Sequence, residues 1–269
     1  GGGARQREGQ CPPCNGSHES SGMIPFDLSP LAALWMATAI LGAAFVRGYS
    51  GFGFAALIVA AAGLVTNPLH FVPVVLLADI LLTAQQARAI RAHIAWRRVA
   101  TLFAGCLVGV PVGIWALTRT DPDTARAVIS IYILAMCALL LTGWQLRRPA
   151  GDAAHIGTGL VSGLANGAAV GGLPVAAFFA AQPIPAAAFR ATLIAYFTLL
   201  DLWTLPLMWS QGLITRDTLV ATALGLPLMI LGVHLGSRHF LAAAPENFRR
   251  FAILLLATLA SLGLLHALL

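Results

Sequence analysis

The sequence predicts an all-α polytopic membrane protein built as two inverted repeats of about five hydrophobic segments, each repeat opening on a glycine-broken element. Three observations predict it. The chain is 58% hydrophobic and 10% charged, where a soluble domain carries about 25% charged residues, and its mean hydropathy is +0.83. Long apolar runs alternate with short polar joints, the pattern of helices that satisfy their own backbone in lipid. Finally, Gly163-Leu164-Ala165-Asn166-Gly167-Ala168-Ala169-Val170-Gly171-Gly172-Leu173-Pro174 lies within apolar sequence yet reads as a helix breaker. Glycine costs roughly 1 kcal/mol relative to alanine in a helix interior, and proline roughly 3. A weaker copy, Arg47-Gly48-Tyr49-Ser50-Gly51-Phe52-Gly53, occurs earlier.

Residues 1–30 precede the membrane domain. The first 22 are rich in Gly, Ser and charge, without apolar periodicity, and read as disordered. Met23 stands just before the first hydrophobic element and reads as the natural start, with the residues upstream an appended tail. The lone Cys11-Pro12-Pro13-Cys14 has only His18 nearby, too few ligands for a metal or redox site. Cys106 and Cys137 lie in apolar runs and read as small packing residues.

Ten hydrophobic segments follow, at 31–46, 52–65, 69–85, 99–117, 125–144, 156–165, 173–181, 186–208, 219–236 and 248–268. The short ones flank the glycine breaks. A spanning helix needs about 20 residues, so these read as half-helices or re-entrant hairpins. Residues 31–146 form the first repeat, 147–155 a linker rich in Arg, Pro and Gly, and 156–269 the second repeat, the two making one membrane domain. Each repeat has a glycine break, then a proline joint (Asn67-Pro68; Pro183-Ile184-Pro185), then a long segment with one aspartate, Asp79 or Asp201. A helix with small residues four apart comes next: Gly105, Gly109 and Gly113 in one repeat, Gly232 and Gly236 in the other. That spacing lets neighbouring backbones approach closely.

All sixteen basic residues are arginine, and the net charge is +6. With ten crossings, one side collects Arg88, Arg91, Arg97, Arg98, Arg147, Arg148, Arg190, Arg238, Arg249 and Arg250. The positive-inside rule makes that side cytoplasmic and puts both termini outside. The arginines fall in short joints and build no long basic face, which argues against nucleic-acid binding.

The Gly171-Gly172-Leu173-Pro174 string, then Phe189-Arg190-Ala191-Thr192-Leu193-Ile194-Ala195-Tyr196-Phe197, then Asn247-Phe248-Arg249-Arg250, resemble the TauE/SafE sulfite-exporter (TSUP) family of membrane transporters. Gly48-Tyr49-Ser50-Gly51-Phe52-Gly53 resembles that family's glycine-rich opening motif, though with fewer consecutive glycines and with Arg47 before them. The resemblance covers roughly residues 31–269. It implies carriage of small sulfur-containing or organic anions such as sulfite, sulfonates or sulfoacetate, in a bacterial inner membrane.

Interrupted segments in corresponding places of two halves point to a transporter binding site. Arg47, taken alone, reads as a snorkelling arginine at the interface. Beside a break it reads as an anion ligand, because guanidinium offers paired planar donors to sulfonate or carboxylate oxygens. Helices resuming after Gly53 and Gly172 would add oriented N–H groups. The candidate substrate-binding set is therefore Arg47, Gly48, Ser50, Gly51, Gly53, Asn166, Gly167, Gly171, Gly172 and Pro174. Asp79 and Asp201 sit mid-segment, where a carboxylate is costly and is paired or functional. Two carboxylates would repel an anion, so proton coupling is the coherent role. Thr83, Thr192 and Tyr196 are candidates to line the path, with packing as the plainer reading of each.

No cofactor or metal is expected, and no Gly-x4-Gly-Lys-Ser/Thr string marks an ATPase of the chain's own. The expected function is a secondary, proton-coupled anion transporter working by alternating access, and not an enzyme. Two alternatives remain. One is a passive anion channel. The other is an intramembrane serine hydrolase using Ser50 in Gly48-Tyr49-Ser50-Gly51, with His234 or His266 as base.

Overall fold

The computed structural model describes residues 25–240 apart from Arg147, together with Leu254, Ala257, Thr258, Ser261 and Leu265. The N-terminal tail with Cys11 and Cys14 lies outside the described residues. So does most of the last hydrophobic segment; its five described positions are helical.

Nine α-helices and three short 3₁₀ turns, with no strand, make up the elements of the described chain. They are α1 (Pro30–Ser50), α2 (Phe54–Ala62), α3 (Phe71–Ile90), α4 (Trp96–Leu117), α5 (Pro122–Leu141), α6 (Asp152–Asn166), α7 (Gly172–Ala180), α8 (Ala186–Ser210) and α9 (Arg216–Phe240). Five of them, α1, α4, α5, α8 and α9, are long and apolar enough to cross a membrane. By contrast α2 and α7 have nine residues each. At 1.5 Å per residue they are about 14 Å long, under half of a hydrocarbon core about 30 Å thick.

Local chemistry sets the ends. Ser29 starts α1 by accepting the Ala32 N–H at 3.2 Å, with Pro30 as first helical residue, the position where a missing N–H costs nothing. Asp121 and Pro122 start α5 in the same way. The break after α1 is made by Gly51 and Gly53, both left-handed with φ of 82° and 86°, a conformation that costs other residues roughly 1–2 kcal/mol. Helix α1 runs on through Arg47 and Gly48, four residues beyond the apolar segment expected from the sequence. The second break, at 167–171, turns at Ala169 (φ 56°), so its left-handed residue is not one of the glycines.

The helix pairing is reciprocal between the halves. α1 lies against α9, and α6 against α4; α3 meets α8; α2 touches α7. Two glycine seams allow the first two pairings. Gly48 faces the Val233 backbone and Gly236 the Phe45 carbonyl, joining α1 to α9. Gly105, Gly109 and Gly113 of α4 face the backbone of α6, where Gly159 and Gly163 face back. A Cβ at most of these positions would stand well inside contact distance of a backbone carbonyl.

The polarity of the bundle is inside out. Val108, Val112, Trp115, Val128, Ile131, Leu224 and Leu231 are exposed, while Arg47, Asp79 and Asp201 are buried. Water rejects that arrangement and hydrocarbon favours it.

Candidate functional site

The two breaks meet at the centre, where a small cavity of about 40 Å³ opens between them. Its walls include Gly53, Phe54, Ala55 and Ala56 at the start of α2, and Gly172 and Leu173 at the start of α7. Two helix N-termini thus line one small space, each bringing unsatisfied N–H groups and partial positive charge. Arg47 from α1, Asp79 from α3, Asn166 from α6 and Asp201 from α8 complete it.

Arg47 is 1% exposed, which excludes the snorkelling reading. Its guanidinium forms an ion pair with Asp79, donates to Thr83 Oγ1 at 2.9 Å and reaches the Asp79 carbonyl at 3.4 Å. It also lies 5.8 Å from the Phe54 ring centroid. Asp201 accepts from Asn166 Nδ2 at 3.4 Å, and the same amide donates to Thr204 Oγ1 at 2.9 Å. Each half therefore sets a polar side chain of its broken helix against the aspartate of its long helix, Arg47 to Asp79 and Asn166 to Asp201. The two carboxyl groups also act on one another electrostatically. Arg47 Nε and Asp79 Oδ2 are buried with no hydrogen-bond partner among the described residues, so the site is incompletely satisfied as it stands.

The freed backbone at the second break has its own support. Ser162 donates to the Gly171 carbonyl at 2.6 Å and accepts from Tyr196 Oη at 2.9 Å. Ser162→Ala should leave that buried carbonyl without its donor and lower stability by about 1–3 kcal/mol. Tyr196→Phe removes only the outer bond and should cost about 1 kcal/mol. Thermal unfolding in detergent reads both, and equal losses would show that Ser162 is not the critical donor.

Several sequence candidates take other places. Gly48 packs on α9, and its carbonyl accepts from Arg190 at 2.7 Å and from Ser237 at 3.2 Å. Gly51 turns the chain against the Arg190 side chain. Gly167 packs on the Gly113 backbone, and Gly171 on Ser162 and Asn166. Pro174 is buried in the first turn of α7 but is not part of the cavity wall. These residues shape the breaks and seams because their backbones need close approach, and the cavity wall falls to their neighbours. Thr192 accepts from the Ala95 N–H at 3.0 Å and anchors the joint before α4, while Tyr196 holds Ser162; neither lines the cavity. Thr83 orients Arg47. The Ser50 side chain lies outside the described residues.

Two features escaped the sequence reading. Thr204 shares the Asn166 amide, and a lone threonine in an apolar helix gives no signal of that. Arg190 joins α8 to Gly48 of α1 and to Ser237 of α9, with Gln86 of α3 also donating to Ser237 at 3.4 Å. A four-helix closure just beyond the first break therefore rests on an arginine that, in sequence, looks like any other in a joint.

Buried charges beside paired half-helices, inside a bundle with an apolar exterior, define a polytopic membrane protein of the transporter class. The profile of the Sulfite exporter TauE/SafE family matches residues 36–263, and the chain belongs to that family. It is similar to the "Probable sulfite/organosulfonate exporter TauE" of Cupriavidus necator (strain ATCC 17699 / DSM 428 / KCTC 22496 / NCIMB 10442 / H16 / Stanier 337). The two are 28% identical over 242 residues, covering 84% of this chain and 90% of the relative. No solved structure gave a significant match.

Proposed function

We propose that this protein is a secondary transporter of a small anion of the sulfite, sulfonate, sulfoacetate or small organic acid class across a bacterial inner membrane, coupled to protons. The observation that carries this is the buried Arg47–Asp79 pair on the wall of a cavity between two half-helix N-termini. An anion that takes the guanidinium nitrogen held by Asp79 must displace that carboxylate. Leaving that carboxylate charged and unpaired in the interior costs several kcal/mol, so the displaced group takes up a proton. Anion binding and proton uptake are then one event.

The reciprocal pairing of α1 with α9 and α6 with α4 supports two inverted repeats, 31–146 and 156–269, with 147–155 as linker. Alternating access is then a rocking of these repeats about the cavity. The positive-inside rule places Arg190 on the cytoplasmic side, where its bonds to Gly48 and Ser237 would close the cavity and release on opening.

Counterflow of ³⁵S-sulfite in proteoliposomes tests the reading. Saturable exchange of labelled for unlabelled sulfite is expected; flux that does not saturate would mark a channel instead. Asp79→Asn mimics the protonated carboxyl. It should leave exchange measurable while abolishing its dependence on a pH gradient. Wild-type pH dependence in that variant would remove Asp79 from the coupling.

A further inference from the structure

We propose that the central cavity takes a monovalent anion together with one proton, so that transport is electroneutral and dianions are discriminated against. This rests on the transport reading above and adds to it the charge of the substrate.

The inference follows from the ionisable groups around the cavity. Its wall carries one guanidinium, Arg47, and two carboxyl groups, Asp79 and Asp201. These are 1%, 5% and 4% exposed, so water cannot balance their charge. Helices α2 and α7 have no titratable side chain. Tyr196 of α8 bonds to Ser162, and neither it nor Cys106 of α4 is part of the cavity wall. His234 and Arg238 of α9 are exposed. Arg190 is held by Gly48 and Ser237 and is not part of the cavity wall; among the described residues, the charged side chains that line the cavity are Arg47, Asp79 and Asp201.

With one cation and two acids, the closed site is neutral only when one acid keeps its proton. Geometry assigns that proton to Asp201, whose neighbours are a neutral amide and Asp79, while Asp79 faces the guanidinium. The N-termini of α2 and α7 assist a negative charge, but a helix terminus offsets only a fraction of the cost of burying an unpaired ion. When a monoanion takes Asp79's place at Arg47, one further proton, on Asp79, restores neutrality. Both acids are then protonated, and no third acid among the described residues lines the cavity. A dianion, sulfoacetate included, would leave one negative charge uncompensated, so within the proposed class the site takes hydrogensulfite and monosulfonates in preference.

The test uses the full chain in proteoliposomes, with ³⁵S-sulfite counterflow as readout and two unlabelled competitors. Methanesulfonate carries one sulfonate and ethane-1,2-disulfonate carries two. Methanesulfonate should inhibit counterflow at a concentration at least about tenfold lower than the disulfonate, from the cost of an uncompensated buried charge. Net sulfite uptake should follow an imposed pH gradient and be unmoved by a valinomycin–potassium potential. Equal or better inhibition by the disulfonate, no inhibition by methanesulfonate, or flux driven by the potential overturns the inference while leaving the transport reading standing. Absence of any exchange overturns the transport reading, and this inference with it.

Discussion

Arg47→Ala is expected to reduce sulfite counterflow in proteoliposomes to the level of protein-free vesicles and to destabilise the protein. Removing one partner of a buried ion pair costs about 3–5 kcal/mol, because the other charge is left without compensation. Asp79 is that partner, and it is 5% exposed. Lost folding and lost transport must therefore be separated. The double variant Arg47→Met, Asp79→Leu removes both charges with similar side-chain volume, a change that is often neutral or stabilising. Its thermal unfolding should return close to wild type while counterflow stays absent. Counterflow in the double variant would show that the guanidinium is not the anion's ligand.

Gly159→Val should prevent assembly of the bundle. A Cβ at Gly159 falls on the Leu102 carbonyl of α4, backbone that cannot rotate away as a side chain would. Overpacking a core costs about 1–3 kcal/mol and sometimes more; against backbone, about 3 kcal/mol or more is expected here. Gly157, two positions earlier on α6, has nothing within 4 Å of an added Cβ and serves as control. Size-exclusion chromatography in detergent should show Gly157→Val as a monodisperse peak and Gly159→Val as aggregate. Equal behaviour would mean that the α4–α6 seam does not limit stability.

Much of this was legible in the chain. The apolar runs announced the helices, because lipid leaves the backbone few other solutions. Gly51, Gly53 and the 163–174 run announced the breaks, since glycine and proline are costly inside helices. Asp79 and Asp201 stood out because carboxylates are rare at that depth. Glycine has two uses that look alike in sequence. Gly48, Gly167 and Gly171 look like ligand-facing residues in sequence, yet they serve close backbone approach. Nothing local distinguishes a glycine that opens a cavity from one that closes a seam.

What the sequence determined by itself is therefore the helical membrane class, the doubled order of break, proline joint and aspartate, and the short list of buried charges. These depend on hydropathy and backbone cost, which are properties of each segment alone. Only the tertiary structure decided that Arg47 meets Asp79 rather than the lipid interface, that Asn166 holds Asp201, and that Arg190 ties α8 to α1 and α9. Those pairings join residues 32 to 142 positions apart. Which charges find one another is fixed by how the two halves interlock, and no single segment carries that information.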